Sequence, residues 1–93
     1  MGKDSTRISV GLPLPRALAA ARALVGITQR KLAAEAGLST GSVARYEAGI
    51  SMLRADNLGA IVAVLKRHGI RFLEETDEVE MGVMLLRRDL PHE

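Results

Sequence analysis

The chain has 93 residues, of which 47% are hydrophobic and 26% are charged, and it contains no cysteine. This length corresponds to one domain, and the composition excludes a wholly disordered chain. Without cysteine, neither a disulfide framework nor a thiolate metal site is available to stabilise so small a core.

Aromatic content and hydropathy argue against two further classes. Tyr46 and Phe72 are the only aromatic residues, which argues against binding nucleic acid by stacking bases on several aromatic rings. The longest stretches without a charge have nine residues, whereas a membrane-spanning helix needs ~18–20. The N-terminus also lacks the apolar segment of a signal peptide. We therefore expect a soluble, cytoplasmic protein.

Charge is distributed unevenly along the chain. Residues 1–73 contain eleven Lys or Arg and four Asp or Glu, a net charge of +7, whereas residues 74–93 have a net charge of −5. The basic part is expected to attract a polyanion. The acidic end would then face away from that polyanion or toward another partner.

Apolar residues at helical spacing predict four helices. In the first, Leu14, Leu18, Ala21 and Val25 recur at intervals of four, three and four residues, which places them on one face. The predicted helices cover residues 16–25, 29–36, 40–48 and 55–68.

Beyond the fourth helix the pattern changes from helical to alternating. Residues 70–74 and 79–86 are predicted strands, and the polar segment 75–78 is the turn between them. These segments predict a β-hairpin, although no Asn-Gly or Asp-Gly pair fixes the type of turn.

One face of this hairpin lacks a partner within the chain. Because side chains alternate along a strand, packing one face on the helices leaves apolar residues on the other. A lone hairpin also has open edges and is marginal in water. We therefore predict a homodimer through the C-terminal strands, with Leu73, Met84 and Leu86 at the interface. The competing interpretation is a monomer whose hairpin caps its own core and leaves Met84 and Leu86 at the surface.

The turn between the second and third helices is the most informative local feature. Its sequence, Gly37-Leu38-Ser39, has the length and chemistry of a helix-turn-helix. Ala33 supplies the small residue that two steeply crossing helices need, and Gly37 supplies the positive φ.

The third helix is predicted to have a buried side and an exposed side. Val43, Tyr46 and, past the end of the helix, Ile50 are expected to face the core. The other side is free to enter the major groove of DNA, which is ~12 Å wide. Its exposed polar residues are Ser39, Thr40, Ser42 and Arg45.

Residues near two helix N-termini are candidates for contacts with phosphate. Thr28 and Ser39 are good N-caps, and helix N-termini present unpaired backbone N–H groups to anions. Gln29 and Arg30 lie on the first turn of the second helix, and Ser42 lies on the first turn of the third. All five are predicted to contact DNA phosphates.

The chain resembles the helix-turn-helix of the lambda-repressor-like XRE family of transcriptional regulators over about residues 14–69. The matching residues are Thr28-Gln29, Leu32-Ala33, Ala36-Gly37-Leu38-Ser39, Val43 and Tyr46-Glu47-Ala48-Gly49. The resemblance implies a compact four- or five-helix domain, major-groove binding and a dimer on a near-palindromic operator. The strand pair also resembles an extension found in small bacterial members of the family.

By position in the motif, the resemblance implies that Gln29 contacts phosphate and that Thr40, Gly41 and Arg45 face base edges. Two residues depart from the family pattern. Gly41 has no side chain at a usual reading position, so fewer direct base contacts are available. Tyr46 replaces a more usual aliphatic residue, and we expect it in the core with its hydroxyl at the rim.

The predicted fold is therefore mainly α, a compact four-helix domain followed by a two-stranded hairpin. The predicted function is that of a sequence-specific repressor of transcription that binds double-stranded DNA. We divide the chain into a flexible arm over 1–12, the helix-turn-helix domain over 13–69, the hairpin over 70–87 and a tail over 88–93.

Other functions find less support in the sequence. The acidic turn lacks the order of a calcium loop, His68 and His92 have no ligands at metal-binding spacing, and no Gly-x-Ser-x-Gly elbow is present. We expect no enzyme activity, no metal and no cofactor. The alternative is an antitoxin-like or regulatory interaction protein that binds a protein partner through its C-terminal hairpin.

Overall fold

The computed structural model describes residues 13–87, so the predicted arm over 1–12 and tail over 88–93 lie outside the described residues. Four helices are followed by a two-stranded antiparallel sheet, which confirms the predicted fold. The elements are α1 (Pro15–Val25), α2 (Gln29–Ala36), α3 (Thr40–Glu47), α4 (Ala55–Arg67), β1 (Ile70–Leu73) and β2 (Gly82–Leu85).

The helix bounds agree with the predicted ones to within one residue. Helix α1 begins at Pro15, where the fixed φ of proline suits the first helical position. Helix α3 ends at Glu47 instead of Ala48, and α4 ends at Arg67 with His68 as its C-cap. None of the helices among the described residues is long and apolar enough to cross a membrane.

A single hydrophobic core joins all four helices to the first strand. Its fully buried side chains include Leu18 of α1, Leu32 of α2, Val43 of α3, Ile61 of α4 and Ile70 of β1. Each such side chain contributes about 1.5–3 kcal/mol to folding by leaving water. Since β1 supplies part of this core, the hairpin is packed against the helical body.

The strands are shorter than predicted. The pairs Ile70 with Leu85 and Phe72 with Val83 lie on one face of the sheet, and Ile70 and Phe72 are buried against the helices. Strand β2 begins three residues later than expected. Thr76 instead accepts a hydrogen bond from the Val79 backbone N–H on its hydroxyl oxygen, 3.1 Å away. This turn holds the start of the predicted strand out of the ladder.

The prediction that Ile50 faces the core is wrong. Its side chain is 73% exposed, and the residue before it, Gly49, has φ of +75°. This left-handed conformation turns the chain away from the core directly after α3. Leu53, three residues later, packs against the core instead.

Candidate nucleic-acid interface

The turn between α2 and α3 sets the relative orientation of the two helices. Gly37 has φ of +75°, a conformation that favours glycine, and its N–H donates to the Ala34 carbonyl at 3.3 Å. The N–H of Leu38 donates to the Ala33 carbonyl at 2.8 Å. Ala33 is buried where α2 packs in the core. These contacts fix the position from which α3 leaves the body.

Hydroxyl groups cap both helices, as the sequence predicts. The Thr28 hydroxyl oxygen accepts from the Lys31 backbone N–H at 3.0 Å, and that of Ser39 accepts from the Ser42 backbone N–H at 3.1 Å. The Ser39 hydroxyl also donates to the Ser42 hydroxyl oxygen at 2.9 Å. Thr28 and Ser39 are nevertheless exposed at the surface, and Ser42 is half-buried.

Helix α3 has the two predicted sides. Val43 and Tyr46 are buried, whereas Thr40 and Arg45 are exposed. Gly41 is half-buried, and the Arg45 guanidinium lies next to it. The outward side of α3 therefore combines a hydroxyl, a bare stretch of backbone and a cation.

The Tyr46 hydroxyl lies deeper than expected. It donates to the Pro13 carbonyl oxygen at 2.8 Å in a buried contact, and burial raises the pKa of this phenol. The bond connects α3 to the segment that precedes α1. It thereby adds a polar anchor to the apolar contacts that hold the helix in place.

An ion pair that sequence reasoning missed joins α1 to the end of α3. Arg22 donates from Nε to Glu47 Oε2 at 2.9 Å and from Nη2 to Glu47 Oε1 at 3.0 Å. A third bond runs from Arg22 Nη1 to the Ile27 carbonyl oxygen at 3.1 Å. The hydrogen bond to Glu47 raises the pKa of Arg22, and the Glu47 side chain is 6% exposed.

The same carboxylate positions Gln29, a predicted phosphate contact. The side-chain amide of Gln29 donates from Nε2 to Glu47 Oε1 at 2.9 Å, and the residue is half-buried. An amide NH₂ has two donors and its carbonyl is a separate acceptor. Gln29 is therefore held at the start of α2 by one donor and keeps further hydrogen-bonding capacity.

Arg30 and Lys31, neighbours on the first turn of α2, differ in their surroundings. Both are exposed, but Lys31 pairs with Glu35 at 2.8 Å, whereas Arg30 forms no ion pair within residues 13–87. Glu35 also contacts His68 Nε2 at 2.9 Å. Hydrogen bonds from Lys31 and His68 lower the pKa of Glu35 to about 2.

The three predicted interface residues of the hairpin differ in exposure. Met84 is 37% exposed, whereas Leu73 and Leu86 are half-buried. Leu73 packs over Gly82, the residue opposite it in the ladder. Leu85, which lies opposite the buried Ile70 in the ladder, is 42% exposed. Exposed apolar surface on the hairpin thus belongs to Met84 and Leu85.

Comparison with known protein families agrees with the helix-turn-helix arrangement of α2 and α3. A helix-turn-helix family model matches residues 18–69, which is more than half of the chain and includes all of α2, α3 and α4. No curated protein matches the sequence. Within the described part of the chain, no group of three or more His, Cys, Asp or Glu is arranged to hold a metal ion.

Proposed function

Since the chain belongs to the lambda-repressor-like XRE family of helix-turn-helix proteins, we propose that it is a sequence-specific transcriptional repressor. The family is one of DNA-binding regulators. In our proposal α3 enters the major groove of double-stranded DNA, and occupation of the site excludes other proteins from it.

The observation that carries this proposal is the exposed side of α3. Val43 and Tyr46 anchor the helix, so that Thr40 and Arg45 project from a rigid body instead of a mobile loop. Arginine is well suited to pair bidentately with a guanine through its O6 and N7 atoms. We assign base contacts to Thr40 and Arg45, and Gly41 faces the base edges between them.

Contacts with phosphate would orient α3 on the duplex. We assign them to Arg30, to Gln29, to the N-caps Thr28 and Ser39, and to Ser42 on the first turn of α3. The exposed Arg30 has a charge that no ion pair neutralises within residues 13–87. Gln29 is held by Glu47 in a fixed position at the start of α2. Phosphate contacts of this kind position a protein without reading sequence directly.

Substitution of Arg45 tests the assignment. Arg45→Ala is expected to weaken binding to a selected DNA site by about 1–3 kcal/mol and to relax the preference at one base pair. The matched control is Arg67→Ala, which removes the same charge from an exposed position on the last turn of α4. Equal losses for the two variants on selected and random DNA would contradict base readout by Arg45.

We further propose that the protein acts as a homodimer through its C-terminal strands. Met84 and Leu85 are exposed on a sheet that has only two strands within residues 13–87, and the edges of so small a sheet favour pairing with another strand. Two copies related by a two-fold axis would present two α3 helices to half-sites ~34–36 Å apart.

Mass measurement by light scattering tests the dimer. Met84→Lys is expected to convert a dimer to a monomer, since it places a charge at the proposed interface. Met52→Lys is the control because Met52 is 87% exposed and belongs to the loop after α3, outside the hairpin. A wild-type protein that is monomeric at micromolar concentration would contradict the dimer. The hairpin would then be a candidate for binding a different protein, as in the alternative function.

A further inference from the structure

Helix α3 has a glycine at its second residue, and an exposed arginine follows four residues later. Glycine destabilises a helix relative to alanine, and Gly41 has an ordinary negative φ, so its backbone does not require glycine. Residues four apart lie on the same side of a helix, and side chains point toward its N-terminus. Arg45 therefore extends back over Gly41.

The Arg45 guanidinium lies next to the volume that a side chain at position 41 would occupy. A Cβ atom built on Gly41 lies 3.1 Å from Arg45 Nη1, 3.8 Å from Cζ and 4.0 Å from Nη2. The only other glycine inside a described helix, Gly59 of α4, has no atom within 4 Å of such a Cβ. The contact is therefore a particular feature of α3.

We propose that Gly41 is a specificity-determining residue that acts through Arg45. This inference rests on the proposed function, in which Arg45 reads a base edge. The missing side chain lets the guanidinium lie close to the first turn of α3, and a methyl group there displaces it from its position beside the helix. The planar fork of arginine must match the O6 and N7 atoms of a guanine. A displaced fork loses that match.

The experiment must separate this role of Gly41 from a direct contact between its backbone and DNA. Glycine also allows DNA to approach the helix backbone closely, independently of Arg45. If Gly41 acts through Arg45, Gly41→Ala has no further effect once Arg45 is alanine. If Gly41 acts through close approach, the loss persists in the Arg45→Ala background. A double-mutant cycle distinguishes the two.

The experiment selects binding sites from a pool of randomised duplex DNA. It uses wild-type protein, Gly41→Ala, Arg45→Ala, the double variant and Gly59→Ala, and it measures the affinity of each for the wild-type site. Gly59→Ala is the matched control because it makes the same change in a helix where no neighbour is close. Replacing glycine with alanine in a helix is expected to raise the melting temperature of both single glycine variants, by up to about 8 °C. This measurement checks that both variants fold.

We expect Arg45→Ala to lose about 5- to 150-fold in affinity for the selected site, the range for one bidentate contact. Gly41→Ala should lose about 5-fold or more and relax the preference at the same base pair. The double variant should bind within about 2-fold of Arg45→Ala, as expected for residues that act as one unit. Gly59→Ala should select the wild-type site with wild-type affinity.

Two results would overturn the inference while the proposed function stands. One is a Gly41→Ala protein that binds and selects as the wild type does while Arg45→Ala loses affinity. The other is a loss from Gly41→Ala that persists in full in the Arg45→Ala background. If the wild-type protein itself selects no site, the proposed function fails, and the inference fails with it.

Discussion

The two surfaces that the fold leaves open differ in chemistry. Helix α3 exposes Thr40 and Arg45, a hydroxyl and a cation, whereas the hairpin exposes the apolar side chains of Met84 and Leu85. A polar, positively charged helix face suits DNA, and exposed apolar side chains suit contact with protein. Both surfaces are supported by one core, since Ile70 of the hairpin is buried among the helices. The hairpin therefore contributes to the core as well as to the proposed interface.

The largest expected effect tests whether hairpin and helices share one core. Phe72→Ala removes a buried aromatic ring of β1 and should lower the free energy of unfolding by about 3–5 kcal/mol. Met84→Ala, on the exposed face, should change it by less than about 1 kcal/mol. Chemical denaturation followed by circular dichroism measures both values. If the free energy of unfolding of the helices is the same in Phe72→Ala as in the wild type, the hairpin does not share a core with them.

A second test compares the buried ion pair of the helical body with an exposed ion pair next to the hairpin. Glu47→Ala leaves Arg22 and Gln29 without their common acceptor in the helical body, where the carboxylate is buried. We expect a loss of about 2–4 kcal/mol in the free energy of unfolding, because removing one partner leaves a charge poorly solvated.

The control is Glu80, which forms an ion pair with Arg16 next to the hairpin. Both side chains are largely exposed, and the contact is 3.3 Å. Glu80→Ala should therefore cost less than about 1 kcal/mol. Equal losses for Glu47→Ala and Glu80→Ala would show that the buried network contributes no more than a surface pair.

The third test weakens the polar anchor of α3. Tyr46→Phe keeps the buried ring but removes the hydrogen bond to the Pro13 carbonyl, which is 2.8 Å long. The expected loss is about 1–2 kcal/mol, since a buried carbonyl loses its donor. Thermal unfolding measures it. An unchanged melting temperature would mean that water replaces the phenol, and that apolar packing alone fixes α3.

The sequence predicted the helical body better than the hairpin, and the reason is physical. The starts of α2 and α3 are determined by local signals, because the Thr28 and Ser39 hydroxyls accept from backbone groups three residues away. The start of β2 depends instead on which residues after the connecting turn pair with β1. That register follows from the hydrogen-bonded turn at Thr76, which has no strong sequence signature.

The candidate site divides in the same way. The turn residues and the exposed positions of α3 follow from helical periodicity. The pair of Arg22 with Glu47 connects residues 25 positions apart, and only the crossing of α1 with α3 brings them together. The one available signal was that both residues flank apolar stripes. The fold of Arg45 over Gly41 also depends on a side-chain conformation, which spacing permits but does not determine.

The smallest expected effect concerns pH and the contact between α2 and α4. Hydrogen bonds from Lys31 and His68 lower the pKa of Glu35 from 4.5 to about 2. A carboxylate with a lowered pKa stabilises the fold fully above its unfolded-state value and loses that contribution as the pH falls through its folded-state value. We therefore expect the stability difference between wild type and Glu35→Gln to shrink as the pH falls from about 4.5 to about 2. Denaturant titrations of both proteins across this pH range measure the difference. The pH-dependent contributions of the other carboxylates cancel in it, because both proteins contain the same ones. A difference that stays constant with pH would show that Glu35 acts by packing instead of by charge.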